Sequence, residues 1–91
     1  MKVVLLPDGG SEGGRAADVA AVLGNIREVE QILRTAGHAT ETVPVYLGDL
    51  TWLDRCQKAD LVFNLCEGIN GYARFEDYVV AALELARVPF T

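Results

Sequence analysis

The sequence predicts an α/β fold: a three-layer, doubly wound and mostly parallel sheet of the Rossmann-like kind. Residues 61–66 form a nearly continuous apolar run without clean alternation, which is typical of a parallel strand covered on both faces. Segments with helical periodicity separate four short apolar segments, which gives the order β-α-β-α-β-α-β. Strands that alternate with helices favour parallel pairing through right-handed crossovers.

Length, charge and cysteine content limit the classes of function that this chain can have. The 91 residues, 51% of them hydrophobic, suit one small domain covering 1–91. A net charge of -5 argues against nucleic acid or an anionic membrane as a partner, because both attract basic surfaces. Cys56 and Cys66 lie outside any CxxC motif and indicate neither a disulfide framework nor a zinc site. The first six residues are too short an apolar run for a signal peptide, so we expect a cytoplasmic protein with reduced thiols.

The first half of the chain predicts a strand, a loop and a long helix. Residues 2–6 predict the first strand, and four glycines within six positions make residues 7–14 a flexible loop. The first helix is predicted to begin after Asp18 as its N-cap and to end at Gly37. Its core face is predicted from apolar residues at three-four spacing: Val19, Val22, Leu23, Ile26, Val29, Leu33 and Ala36.

The second half predicts the remaining strands and two further helices. Residues 39–46 suit a strand at the sheet edge, where the N–H donor that Pro44 lacks is not needed. A short helix is predicted at 49–58, with Trp52 packing it onto the sheet, and the strand at 61–66 follows. The last predicted elements are a helix at 75–87, with Val79, Ala82, Leu83 and Ala86 buried, and a strand at 88–91.

The carboxyl ends of the first and third strands are the predicted ligand-binding region. If the first strand is central, the winding direction reverses there, and open α/β sheets bind ligands at such a switch point. The loops at this point are 7–17 and 67–74. A phosphate cradle is not indicated, because Arg15 and Ala16 replace the Lys and Ser/Thr of a P-loop. Asn64 needs hydrogen-bond partners inside its apolar strand, and we expect it to hold the neighbouring loop.

The stretch from Asp60 to Thr91 resembles the N-terminal (pre-ATP-grasp) domain of the D-alanine–D-alanine ligase family. The resemblance lies in Val62 to Gly68, Val80 to Leu85 and Val88 to Thr91, which follow one another in the family's order. Because the family pattern continues into ATP-binding domains, the resemblance implies a piece of a larger ATP-grasp ligase, acting in peptidoglycan biosynthesis. ATP and Mg²⁺ would be bound by those other domains, so this chain would carry no cofactor and no ligase activity alone.

Five residues are the candidate substrate contacts, and no catalytic residue or metal ligand is predicted. By resemblance, Ser11 and Glu12 lie in a loop that helps to seat the ammonium group of a small amino-acid-like substrate. Glu67 and Gly68 occupy the place of a His-Gly pair beside the reacting carboxylate, and a carboxylate there could hold an ammonium group or a cation. Arg74 could meet a substrate carboxylate. The competing interpretations are a solvated Glu12, a Glu67 satisfied by loop N–H groups and an Arg74 in a surface ion pair.

A stand-alone flavodoxin-like interaction or regulatory module is the alternative function. Such a module is expected to end in a docked helix or a polar tail, whereas residues 88–91 begin a strand, which favours the fragment interpretation. A fragment would have the remaining ATP-grasp domains as its partners. Without them, surface that they normally cover would be exposed, and self-association, for instance as a homodimer, is the predicted consequence.

Overall fold

The structure is a computed structural model, and it describes residues 1–9, 16–66 and 73–91. Three strands form one open, all-parallel sheet, and three helices accompany it, so the α/β class is confirmed. No helix in these described ranges has the length and apolarity needed to cross a bilayer. In chain order the elements are β1 (Lys2–Leu6), α1 (Ala16–Thr35), β2 (Ala39–Thr42), α2 (Thr51–Gln57), β3 (Leu61–Asn64), a 3₁₀ turn (Ala73–Phe75) and α3 (Glu76–Leu85).

The sheet order is β2-β1-β3, so the condition under which the sequence predicts a switch point, a central first strand, is met. Val3 lies opposite Thr40 of β2 on one side and opposite Leu61 of β3 on the other. The four residues from Val3 to Leu6 are buried almost completely, as expected for the middle strand of a parallel sheet. The apolar β1 therefore forms the centre of the molecule.

The segment at 88–91 is not the fourth full strand that the sequence predicts. Val62 donates to the carbonyl of Pro89 (2.8 Å) and accepts from the N–H of Thr91 (3.0 Å), and a single parallel bridge joins it to Phe90. These bonds lie on the side of β3 away from β1. Because Pro89 has no N–H and only four residues take part, the pairing stays a bridge beside a three-stranded sheet.

Two predicted boundaries of α1 have different outcomes. The helix already includes Ala16 and Ala17, so Asp18 lies within it and is not its N-cap; alanine is the strongest helix former and extends the first turn. At the other end the prediction is confirmed, since Gly37 follows the helix with φ 93°. Along the predicted core face Ile26 is buried, whereas Ala36 is exposed because it lies beyond the last helical residue.

β2 is an edge strand, as predicted, and it ends earlier than expected. Its strand assignment covers 39–42, but the ladder to β1 continues: Val43 donates to the carbonyl of Leu5 (2.8 Å) and Val45 to that of Pro7 (2.9 Å). Pro44 lies between these two donors and faces away from β1. Its missing N–H is therefore not needed in the ladder, as the sequence predicts.

α2 begins after a tight turn at the end of this segment. Gly48 has φ 82°, a left-handed conformation that glycine adopts without strain. The Asp49 carboxylate accepts hydrogen bonds from the Thr51 N–H (2.9 Å) and hydroxyl (2.8 Å). These two bonds lower the pKa of Asp49, because they stabilise its charged form.

The two faces of the sheet contact different helices. Arg34 of α1 donates to the Thr40 hydroxyl (2.9 Å), and Thr42 donates to Glu30 of α1. Thr40 and Thr42 share a face with Val3 and Leu5, since alternate residues of a strand point the same way. The other face joins α2 and α3 in one buried cluster: Val4, Leu6, Val43, Val45, Trp52, Cys56, Val62, Cys66, Val79, Leu83 and Val88.

Candidate functional site

The carboxyl ends of β1 and β3 lie side by side. Leu6 is opposite Asn64 in the parallel register, and Leu65 donates its N–H to the Leu6 carbonyl (3.1 Å). The chain therefore leaves both strands at neighbouring points, through residues 7–9 and residues 65–66. In open α/β sheets this arrangement, with a central strand flanked on both sides, forms the usual ligand crevice.

Asn64 holds the beginning of the second loop, as the sequence predicts. Its side-chain oxygen accepts the N–H of Cys66 (3.0 Å), which closes a tight side-chain turn directly after β3. Cys66 is buried there. The position at which the chain departs towards Glu67 is thus set by a hydrogen bond within the strand end.

Four of the five predicted site residues, Ser11, Glu12, Glu67 and Gly68, lie outside the described residues. Arg74 is described, in the 3₁₀ turn that precedes α3, and it is exposed. Its guanidinium carbon lies 4.8 Å from the centre of the Phe75 ring, within the range of a cation–π interaction. The structure thus places Arg74 at the N-terminal end of α3, against its own neighbour in the chain.

Tyr46 is a residue of this region that the sequence analysis missed. Gly9 donates its N–H to the Val45 carbonyl (2.9 Å), and Asp8 bridges Val45, so the loop after β1 begins attached to the extension of β2. A Cβ at Gly9 would lie 2.6 Å from Cζ of Tyr46 and 2.7 Å from Cβ of Pro44. An aromatic residue directly after an edge strand is the signal that could have indicated it.

The surroundings of the two cysteines do not favour either of them as a nucleophile. Both are free and buried. Burial raises the pKa of Cys56 to about 11, and the negative charge of Glu41 adds to this effect. Glu41 itself is paired with Lys2 (3.1 Å) and Arg55 (3.4 Å). At neutral pH the Cys56 thiol is therefore protonated, and the thiol form is a poor nucleophile.

Among the described residues, this region offers the Asp8 carboxylate, the Asn64 amide and the Arg74 guanidinium. No group of three or more His, Cys, Asp or Glu side chains in the described ranges 1–9, 16–66 and 73–91 is placed to hold a metal ion. Comparisons with protein families, with curated proteins and with solved structures found no match to this chain.

Proposed function

We propose that this chain is the N-terminal, substrate-side domain of an ATP-dependent carboxylate–amine ligase of the D-alanine–D-alanine ligase type. The observation that carries the proposal is the hydrogen bond between Leu65 and Leu6, which brings the two predicted substrate loops out of the sheet at neighbouring points. The motif from Val62 to Gly68, on which the family resemblance rests, begins in one of these strands.

The doubly wound, three-layer architecture is part of the same proposal. α1 contacts the face of the sheet that carries Thr40 and Thr42, and the buried cluster joins α2 and α3 to the face that carries Val4 and Val62. A reversal of winding between β1 and β3 accounts for both sets of contacts. Within the larger enzyme, this domain would be the Rossmann-like N-terminal unit.

The substrate chemistry follows from the residue types at this edge. Glu12 and Glu67 would hold the ammonium group of an amino-acid-like substrate, with Ser11 and Gly68 beside them. Arg74 would meet a carboxylate, for which its guanidinium can leave the Phe75 ring. ATP and Mg²⁺ would be bound by the remaining domains, and we assign no step to them in this chain.

A titration of the ¹⁵N-labelled chain with D-alanine, monitored by NMR, tests the substrate-side role. We expect dissociation constants of about 1 to 10 mM, as a small ligand held by part of its site would give. The amides of Asp8, Gly9, Leu65 and Cys66 should shift the most. L-alanine, which has the same charges, serves as the stereochemical control and should bind more weakly.

Variants separate the site from general charge effects. Glu67→Gln should weaken D-alanine binding about tenfold, because the ammonium group loses its charged partner. Asp54→Asn is the matched control: it removes one carboxylate from the exposed surface of α2, where Asp54 pairs with Lys58, and should leave binding unchanged. Equal effects of both variants, or absence of shifts at this edge, would contradict the proposal.

The larger-enzyme part of the proposal has its own test in the source DNA beyond the Thr91 codon. A reading frame that continues with lysine, glutamate and asparagine residues suited to ATP and Mg²⁺ would support it. A stop codon would favour the stand-alone flavodoxin-like module instead. The NMR result is independent of this outcome, since it concerns only the 91 residues.

A further inference from the structure

The outward face of α1 carries two arginines one heptad apart. Arg27 and Arg34 are exposed and seven residues apart, which places them about 10.5 Å from each other along the helix axis, with Gln31 between them. Ile32, 68% exposed, lies about 140° around the helix from Arg27, and the exposed Glu28 lies between them. An open depression of about 390 Å³ runs along the face, lined by Arg27, Glu30, Gln31, Arg34 and Thr35.

The outward face of α3 has the opposite charge at the same spacing. Asp77 and Glu84 are exposed and also seven residues apart, with Ala81 between them. Tyr78 and Leu85, 64% and 87% exposed, flank this row. Asp77 and Glu84 make no ion pair within the described residues of the chain, and neither does Arg27.

The apolar residues lie on the same rotational side of the two rows. At 100° per residue, Ile32 is about 140° around α1 from Arg27, and Tyr78 is about 100° around α3 from Asp77, in the same sense. When two helices pack antiparallel, flanks of the same sense face each other. Antiparallel packing would then pair Arg27 with Glu84 and Arg34 with Asp77 along one edge of the contact. Ile32 and Tyr78 would lie along the other edge, with Glu28 between the two edges.

We propose that α1 of one copy packs antiparallel on α3 of a second copy of this chain. The charges disfavour a symmetric contact between two α3 helices, since a two-fold axis would place the acidic row of one copy against the acidic row of the other. Arg34 already contacts Glu30 (3.5 Å) and Thr40, but its five donors can serve an additional carboxylate. The basic row of α1 and the acidic row of α3 thus complement each other along one edge of the contact.

The resulting assembly is head-to-tail. α1 contacts one face of the sheet and α3 belongs to the cluster on the other, so a copy that offers α1 to one neighbour can offer α3 to the next. Such heterologous contacts generate stacks or rings. Because exposed ion pairs contribute little each, we expect a dissociation constant of about 0.1 to 1 mM that rises with ionic strength.

Sedimentation equilibrium with charge-reversal variants tests the proposal. Arg27→Glu and Glu84→Arg should each raise the dissociation constant about tenfold or more, because each places like charges opposite each other. An equimolar mixture of the two should associate again, since the acidic side chain at position 27 of one variant faces the basic side chain at position 84 of the other. Within the described residues, neither Arg27 nor Glu84 has an ion-pair partner that the substitution would remove.

Matched controls use the exposed ion pair of α2. Lys58→Glu and Asp54→Arg change the net charge by the same amounts as the two test variants but lie on a different helix. They should leave association unchanged. A wild-type chain that stays monomeric at 1 to 2 mM in roughly 20 mM salt would overturn the proposal. So would a mixture that associates no better than its components, or controls that act like the test variants.

Discussion

Cys56 shows what burial does to a single ionisable side chain. Its thiol lies in the cluster between the sheet and α2, and Glu41 adds negative charge nearby. The folded pKa of about 11 is above the thiol's ordinary value near 9. The folded state therefore holds the proton that the unfolded chain releases between these two values. The stability from this group is complete below pH 9 and is lost as the pH rises towards 11.

Replacing Cys56 with alanine should remove this pH dependence. We expect wild type to lose stability relative to Cys56→Ala across pH 9 to 11, with a slope difference of up to about 1.4 kcal/mol per pH unit. Urea unfolding at several pH values measures it. The variant will be less stable at neutral pH because it loses buried contacts, so the slopes and not the absolute values are compared. Parallel stability curves would contradict the assignment.

Gly9 illustrates a glycine required by close approach. Because a Cβ would collide with Pro44 and Tyr46, we expect Gly9→Ala to destabilise the fold by about 1 to 3 kcal/mol. Gly24→Ala is the control: nothing lies within 4 Å of a Cβ at this position on the exposed face of α1, and alanine should stabilise the helix by about 0.5 to 1 kcal/mol. Thermal unfolding of both variants measures the difference, and equal shifts would refute the steric explanation.

At the level of elements, α1 and α3 end in the same way with different residues. After α1, Gly37 donates to the Arg34 carbonyl and His38 to that of Leu33. After α3, Arg87 donates to the Glu84 carbonyl and Val88 to that of Leu83. Both are Schellman motifs, which need a left-handed residue just after the helix. Gly37 adopts φ 93° freely, whereas Arg87 is held at φ 55°.

Exchanging the residue type at these two ends should have opposite effects. Gly37→Ala is expected to destabilise the protein by about 1 kcal/mol, since nothing but backbone strain opposes the new Cβ. Arg87→Gly is expected to stabilise it by up to about 1 kcal/mol, because the strain is relieved. Chemical denaturation of the two variants provides the measurement. A loss of stability in Arg87→Gly would mean that the Arg87 side chain contributes more than its backbone strain costs.

The elements with strong local signals are the ones the sequence predicts correctly. The apolar runs give β1 and β3, and Gly37 gives the end of α1, because these signals reside in neighbouring residues. The prediction of Asp18 as an N-cap is wrong because an aspartate is favoured both as a capping residue and within the first helical turn. The alanines that precede Asp18 do not distinguish these two positions in the sequence. The strand at 88–91 was overestimated because its extent depends on pairing with β3, which local sequence does not contain.

On the scale of the whole molecule, topology was more predictable than the site. The apolar run from Val3 to Leu6 suits a central strand, and the crevice at the β1 and β3 ends follows from that topology. Tyr46 was missed because its contact with Gly9 depends on how the loop after β1 packs beside the extension of β2. Fold alone does not determine function, since α/β sheets of this kind support many activities. The substrate chemistry therefore has to be determined from D-alanine binding by the wild-type chain and by Glu67→Gln.

The position of Pro44 also governs how the sheet behaves towards other chains. The outward side of the β2 edge presents the N–H groups of Thr40 and Thr42 and then a proline, which presents none. An extended strand that tried to pair along this edge would lose its ladder after two residues. The open edge of β2 thus disfavours strand pairing with other chains, which agrees with the proposed contact between copies through α1 and α3.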